Sequence, residues 1–169
     1  MDFFEPAYLV FFSRWLHVLS GIMWIGLLWY FNFVQIPSMP NIPDNQKPAI
    51  SKVIAPKALF WFRWAALATI ITGLSTAHLN GYLVNALTLG IIDGSQKDTA
   101  IGIGMWLGII MVYNVWMIIW PNQKIALGIV SANDGEKPLA ARKAMLFSRT
   151  NTALSIPMLY AMVSAQNLY

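Results

Sequence analysis

The chain has 169 residues, of which 57 % are hydrophobic and only 11 % charged, with a mean hydropathy of +0.56. A water-soluble domain carries about 25 % charged residues, so this composition argues against one and predicts a single integral membrane domain over residues 1–169. The net charge of +4 does not point to nucleic acid, because the cations fall in connecting segments and the aromatics in apolar runs. The absence of cysteine excludes disulfides, thiolate metal sites, iron–sulfur clusters and covalent c-type haem within these residues.

The opening Met1-Asp2-Phe3-Phe4-Glu5-Pro6 has no cationic n-region and does not read as a cleaved leader. A membrane span needs about 20 mostly apolar residues, and four stretches qualify: about 8–36, 58–87, 99–120 and 144–166. Prolines punctuate the gaps. Pro37, Pro40, Pro43, Pro48 and Pro56 fill the first connection, and Pro121 closes the third span. Pro157 predicts a kink in the fourth. Lys47, Lys52 and Lys57 lie in the first connection; Lys124, Lys137, Arg142 and Lys143 lie in the third. The second connection sets Lys97 against Asp93 and Asp98, and the N-terminal tail has only Asp2 and Glu5. The positive-inside rule then predicts both termini outside a bacterial inner membrane. Short connections predict an all-α, antiparallel four-transmembrane-helix bundle. Gly104-xxx-Gly108 is a close-packing motif that serves neighbouring helices or a homo-oligomer equally.

The two histidines of the chain, His17 and His78, both fall inside these spans. Ionisable side chains are costly in a bilayer and mark functional sites there. Counting 20 residues from Pro37 back to His17, and 21 from Lys57 up to His78, predicts both rings roughly 30 Å along their helices from the inner end. Facing helices of a bundle build cofactor sites, and imidazole ligates haem b without any cysteine. Gly21 follows His17 by four residues and Gly81 follows His78 by three, leaving room for a flat macrocycle. Arg14 lies one turn from His17 and is placed to pair with a propionate; Trp15, Trp24 and Tyr82 are candidate pocket walls. The plainer reading of each histidine is a hydrogen-bonded packing residue, with Arg14 snorkelling to the interface.

A second polar set gathers toward the opposite end: Asn32, Arg63, Asn114, Arg149 and Asn151, with Gln35, Ser148, Thr152 and Ser155 beside them. It reads either as an inward-facing pocket for an anionic or polar small molecule, or as an interhelical hydrogen-bond layer. The nine methionines are gap-fillers in this reading.

Several segments carry a family likeness. Arg14-Trp15-Leu16-His17-Val18-Leu19-Ser20-Gly21-Ile22-Met23-Trp24-Ile25-Gly26 with Tyr30-Phe31-Asn32-Phe33 resembles the first span of the membrane domain of cytochrome-c-type urate oxidases. Asn114-Val115-Trp116 with Ile119-Trp120-Pro121-Asn122-Gln123-Lys124, and Ser148-Arg149-Thr150-Asn151-Thr152-Ala153-Leu154-Ser155-Ile156-Pro157, are similar to the same family. The resemblance implies a membrane oxidoreductase that hydroxylates urate and passes electrons to a cytochrome c domain. These residues depart from it in having no cysteine for c-type haem and four spans rather than a longer membrane domain. Leu16-His17 with Trp24 and Gly26, and Asn151 with Ile156-Pro157, are more distantly similar to the four-span haem-dependent protoporphyrinogen oxidases. That likeness implies haem b on a first-span histidine, favouring His17 over His78 as ligand.

The expectation is therefore a haem-b protein of electron transfer or substrate oxidation, partnered by a periplasmic cytochrome or copper protein. The competing expectation is a non-catalytic membrane subunit, without its own cofactor, of a larger respiratory or oxidoreductase complex. A small-molecule carrier is disfavoured, because the spans show no broken helices or acidic coupling residues.

Overall fold

A computed structural model describes residues 5–92, 94–133 and 135–169; the acidic residues Asp2 and Asp93, counted above, lie outside the described residues. The described residues are helical throughout, without a strand. Helix α1 spans Pro6–Asn41 and α2 spans Ala49–Leu79. A short α3, Leu83–Leu87, leads into α4, Gln96–Ala126, and α5 covers Glu136–Asn167. Helices α1, α2 and α4 are long and apolar enough to cross a membrane. Helix α5 matches them in length, but its polar residues keep it below that threshold.

The helices overrun the boundaries expected from proline. Pro37, Pro56 and Pro121 all lie inside helices rather than ending them. Each stands two residues after a six-residue π-helical segment: Tyr30–Gln35, Ala49–Ile54 and Asn114–Ile119. A proline ring collides with the carbonyl four residues earlier in a regular α-helix. A wide turn with i→i+5 bonds just ahead of it relieves that crowding, so the chain passes each proline without breaking. Helix α5 likewise runs through Pro157.

Glycines, not prolines, end two of the helices. Gly81 holds φ +78°, outside the range other residues adopt readily. Its N–H donates to His78 O at 3.0 Å and Tyr82 N–H donates to Ala77 O at 3.1 Å, the paired bonds of a Schellman cap. The second span therefore stops at Leu79, not near Leu87. Gly128, φ +71°, closes α4 in the same way, with Ile129 N–H donating to Lys124 O.

Helices α1 and α2 form one antiparallel pair, and α4 and α5 form another. Between them Trp24, Leu28 and Phe31 of α1 pack with Phe62 and Ala66 of α2, Met111, Val115 and Ile119 of α4, and Met158 of α5. A second, smaller cluster joins Ala86 of α3 to Ile101 and Met105 of α4 and Ala165 of α5. Large apolar side chains stay exposed on every long helix, among them Phe11, Ile22, Trp61, Ile71, Met117 and Tyr160. A surface so apolar suits lipid rather than water.

Candidate functional site: a glycine-lined cavity at His17

The α1–α2 seam is held by small polar contacts that fix its register. Thr76 Oγ1 pairs with Ser13 Oγ at 3.1 Å, and Ser20 Oγ with Thr72 Oγ1 at 3.4 Å. Between them the imidazole of His17 lies over Gly73, where a Cβ would stand 2.8 Å from His17 Cε1. His17 Nδ1–H donates to Thr69 O at 2.9 Å. The connection turns about Asn45, and residues equally far from it face one another, as His17 and Gly73 do.

This register separates the two histidines. His78 lies five residues beyond Gly73, roughly 7 Å further along α2, and is exposed in the last turn of the helix. The expectation of equal depth failed because it counted from Pro37 and Lys57 as the helix ends, whereas α1 runs four residues further, to Asn41, and α2 starts eight residues earlier, at Ala49. Gly81, expected to make room for a macrocycle, instead caps α2. Neither His78 nor Gly81 lines the cavity described next.

His17 sits in the wall of a cavity of about 580 Å³, within the range that holds small molecules and cofactors. All four long helices contribute to it. Helices α1 and α2 line one side of it and α4 and α5 the other. Its lining is almost wholly apolar, with Arg14 and Gln166 at one end and Trp29 at the other. Gly21, Gly26, Gly73, Gly104 and Gly108 all belong to the wall. A Cβ on Gly26 would meet nothing within 4 Å, and one on Gly21 only Thr69 Cγ2 at 3.9 Å. These two glycines hold space open where a side chain would fill it.

Two polar groups of the wall bear on what the cavity takes. Because Nδ1–H of His17 is committed to a backbone carbonyl, Nε2 is left with its lone pair, the tautomer and orientation that ligating histidines adopt. Trp24 is 1 % exposed, and its indole N–H has no partner. An orphaned buried donor is uncommon, and here it belongs to a residue of the cavity wall. Trp15 is exposed and Tyr82 half-buried, and both lie outside the wall. Burial pushes the Tyr82 phenol above its ordinary range; the nearby Arg14 guanidinium opposes the shift and Asp98 adds to it. Arg14 thus stands at the mouth of the cavity beside Tyr82.

None of Asn32, Arg63, Asn114, Arg149 and Asn151 lines the His17 cavity. Asn114 Nδ2 donates to Asn151 Oδ1 at 2.8 Å, and Asn151 Nδ2 donates to Met111 O at 2.9 Å. Asn32 Nδ2 donates to Leu28 O at 2.9 Å and Ser148 Oγ at 2.8 Å, and Trp29 Nε1 donates to Ser155 Oγ at 2.9 Å. These bonds tie α1, α4 and α5 together as an interhelical layer. Arg63 instead lies flat on Trp120, 3.8 Å from the ring centroid, with Phe60 on another side. Arg149 is exposed. The two guanidinium groups are therefore held apart from the asparagines they were expected to join.

Gly73, Thr69, Met105 and Met162 are wall residues that sequence reading passed over. The Thr69-xxx-Gly73-xxx-Ala77 repeat is a small-xxx-small signal for close helix approach, and would have pointed to the partner of His17.

Comparison with known proteins adds one relation. A family profile described as urate oxidase N-terminal matches residues 94–168, which cover α4, the third connection and α5. The chain is thus urate-oxidase-like over that stretch. The Asn114–Lys124 and Ser148–Pro157 motifs fall inside the match, and Arg14–Gly26 falls outside it. No curated protein and no solved structure gives a significant match.

Proposed function

We propose that the chain is a four-span inner-membrane protein that binds haem b in the His17 cavity and works in electron transfer or substrate oxidation. The observation that carries this reading is the state of His17: its Nδ1 is committed to Thr69 O, leaving Nε2 for a ligand, in the wall of an apolar cavity kept open by glycine. The residues present suit the group. Gly21 and Gly26 leave a slot for a flat ring, and Arg14 at the mouth offers a guanidinium to a propionate. Haem, when bound, supplies one-electron chemistry. The protein's share is to hold the ring by His17, neutralise its propionates by Arg14 and exclude water from both faces.

The match to the urate oxidase N-terminal family supports an oxidative role, and the distant likeness to haem-dependent protoporphyrinogen oxidases supports haem on a first-span histidine. The arrangement of cations supports both termini outside, with the Arg14 mouth toward the outer face. The natural electron partner there is a periplasmic cytochrome or copper protein.

The test is a reduced-minus-oxidised spectrum of protein purified in detergent from haem-replete cells, with haem quantified by extraction. Near-stoichiometric b-type haem is expected, lost in His17→Ala and kept in His78→Ala. A folded, colourless preparation would sink the reading and leave the non-catalytic subunit as the better account.

A further inference from the structure

The register that removes His78 from the cavity brings another ligand-forming side chain to the level of His17. Gly108 of α4 packs against Ile70 of α2, with 3.6 Å from its Cβ position to Ile70 Cδ1. Helices α2 and α4 are antiparallel, so Gly104, one turn toward the Arg14 end, stands level with Gly73 and Leu74. Met162 of α5 lies over Gly104: a Cβ there would be 3.0 Å from Met162 Cε and 3.2 Å from Sδ. His17 and Met162 are therefore seated alike, each in the notch of a glycine on the neighbouring helix, at one depth and both in the lining of the cavity. A thioether is an axial ligand of haem iron when paired with histidine.

We infer that Met162 would hold the haem together with His17, its thioether supplying the iron with a second protein ligand; this rests on the haem reading above. The other methionines of the wall are committed to packing. Met158 is 6 % exposed in the large core cluster, and Met105 is 9 % exposed in the smaller one. Met162 is only partly buried, borders both clusters and belongs to the cavity wall. The long, unbranched thioether side chain also has the freedom to turn from Gly104 toward a ring in the slot.

The experiment is absorption and magnetic circular dichroism of the detergent-purified wild-type protein, with haem content measured separately. Ferric wild-type protein is expected to show the near-red sulfur-to-iron charge-transfer band of histidine–methionine ligation. Met162→Leu is expected to lose that band while keeping at least half of the haem through His17, and Met105→Leu and Met158→Leu to keep it. Met162→His is expected to give a bis-histidine spectrum and a lower midpoint potential, because a methionine ligand raises the potential. Haem-bound wild-type protein without the sulfur band overturns the inference and leaves the haem reading standing, as does a band that survives Met162→Leu. Absence of haem from the wild type overturns both. The wild-type spectrum decides even if a variant fails to fold.

Discussion

Gly73 is the residue on which the position of His17 depends. Any side chain there would enter the imidazole, so the ring must leave Thr69 O or the helices must part. Gly73→Ala is expected to cost about 1–3 kcal/mol, the usual penalty of overpacking, read as a lowered midpoint of thermal unfolding in detergent. Unchanged stability would mean that the ring moves freely and that Thr69 O does not hold it. At the other end of the bundle, Asn151 is wholly buried and bonded on both sides. Removing its amide orphans Asn114 Nδ2 and takes from Met111 O one of its two donors, the other being the Asn114 backbone N–H. Asn151→Ala is expected to cost about 1–2 kcal/mol, whereas Arg149→Ala, at an exposed position, is expected to stay within about 0.5 kcal/mol of the wild type. Equal losses would mean that Arg149 belongs to the layer after all.

At the scale of elements, the helix ends are decided by glycine and the helix interiors tolerate proline. Gly81→Ala forces a left-handed φ on a residue with a Cβ and is expected to cost about 1 kcal/mol. The loss is expected to appear as faster amide exchange at Leu79–Tyr82, without change in α1. The α1–α2 connection carries a pH-sensitive contact: Lys47 Nζ donates to Asp44 Oδ1 at 2.6 Å, and that bond, then the lysine charge, holds the Asp44 carboxyl below its ordinary range. A carboxyl depressed in the folded state stabilises it above the unfolded value, and this stabilisation is lost as pH falls through the folded value. The contact is thus expected to be intact at neutral pH and to fail only below about pH 4. Carbon-13 titration of the Asp44 carboxyl should show the depressed midpoint, and Lys47→Ala should restore the ordinary one. Sequence reading located the four long helices; apolar length marks three of them, and α5 falls short of it. It misplaced their ends, because it treated Pro37, Pro56 and Pro121 as stops. The three π-helical segments that absorb those prolines depend on backbone geometry that no residue type announces.

For the whole molecule, the absence of native cysteine makes topology directly measurable. Single cysteines in place of Lys47, Ile91 and Val130 lie in the three connections between the long helices. A membrane-impermeant thiol reagent is expected to label positions 47 and 130 from the same side and position 91 from the other. Labelling of 47 and 130 from opposite faces would break the four-span arrangement, and with it the placement of the cavity mouth.

Composition by itself determined the class of protein: so little charge and so many long apolar runs leave no water-soluble solution, and the loop cations suggest a direction. It also singled out His17, His78 and Arg14, because ionisable residues are rare and costly in apolar helices. The tertiary structure decided which residues meet. A shift of four or five residues in the α1–α2 register separates His78 from His17 and sets Gly73 beneath the imidazole. The same packing brings Met162, indistinguishable in sequence from the other methionines, level with His17. Depth along a helix depends on where each helix turns back, and in this chain that is settled by backbone caps and wide turns rather than by hydropathy.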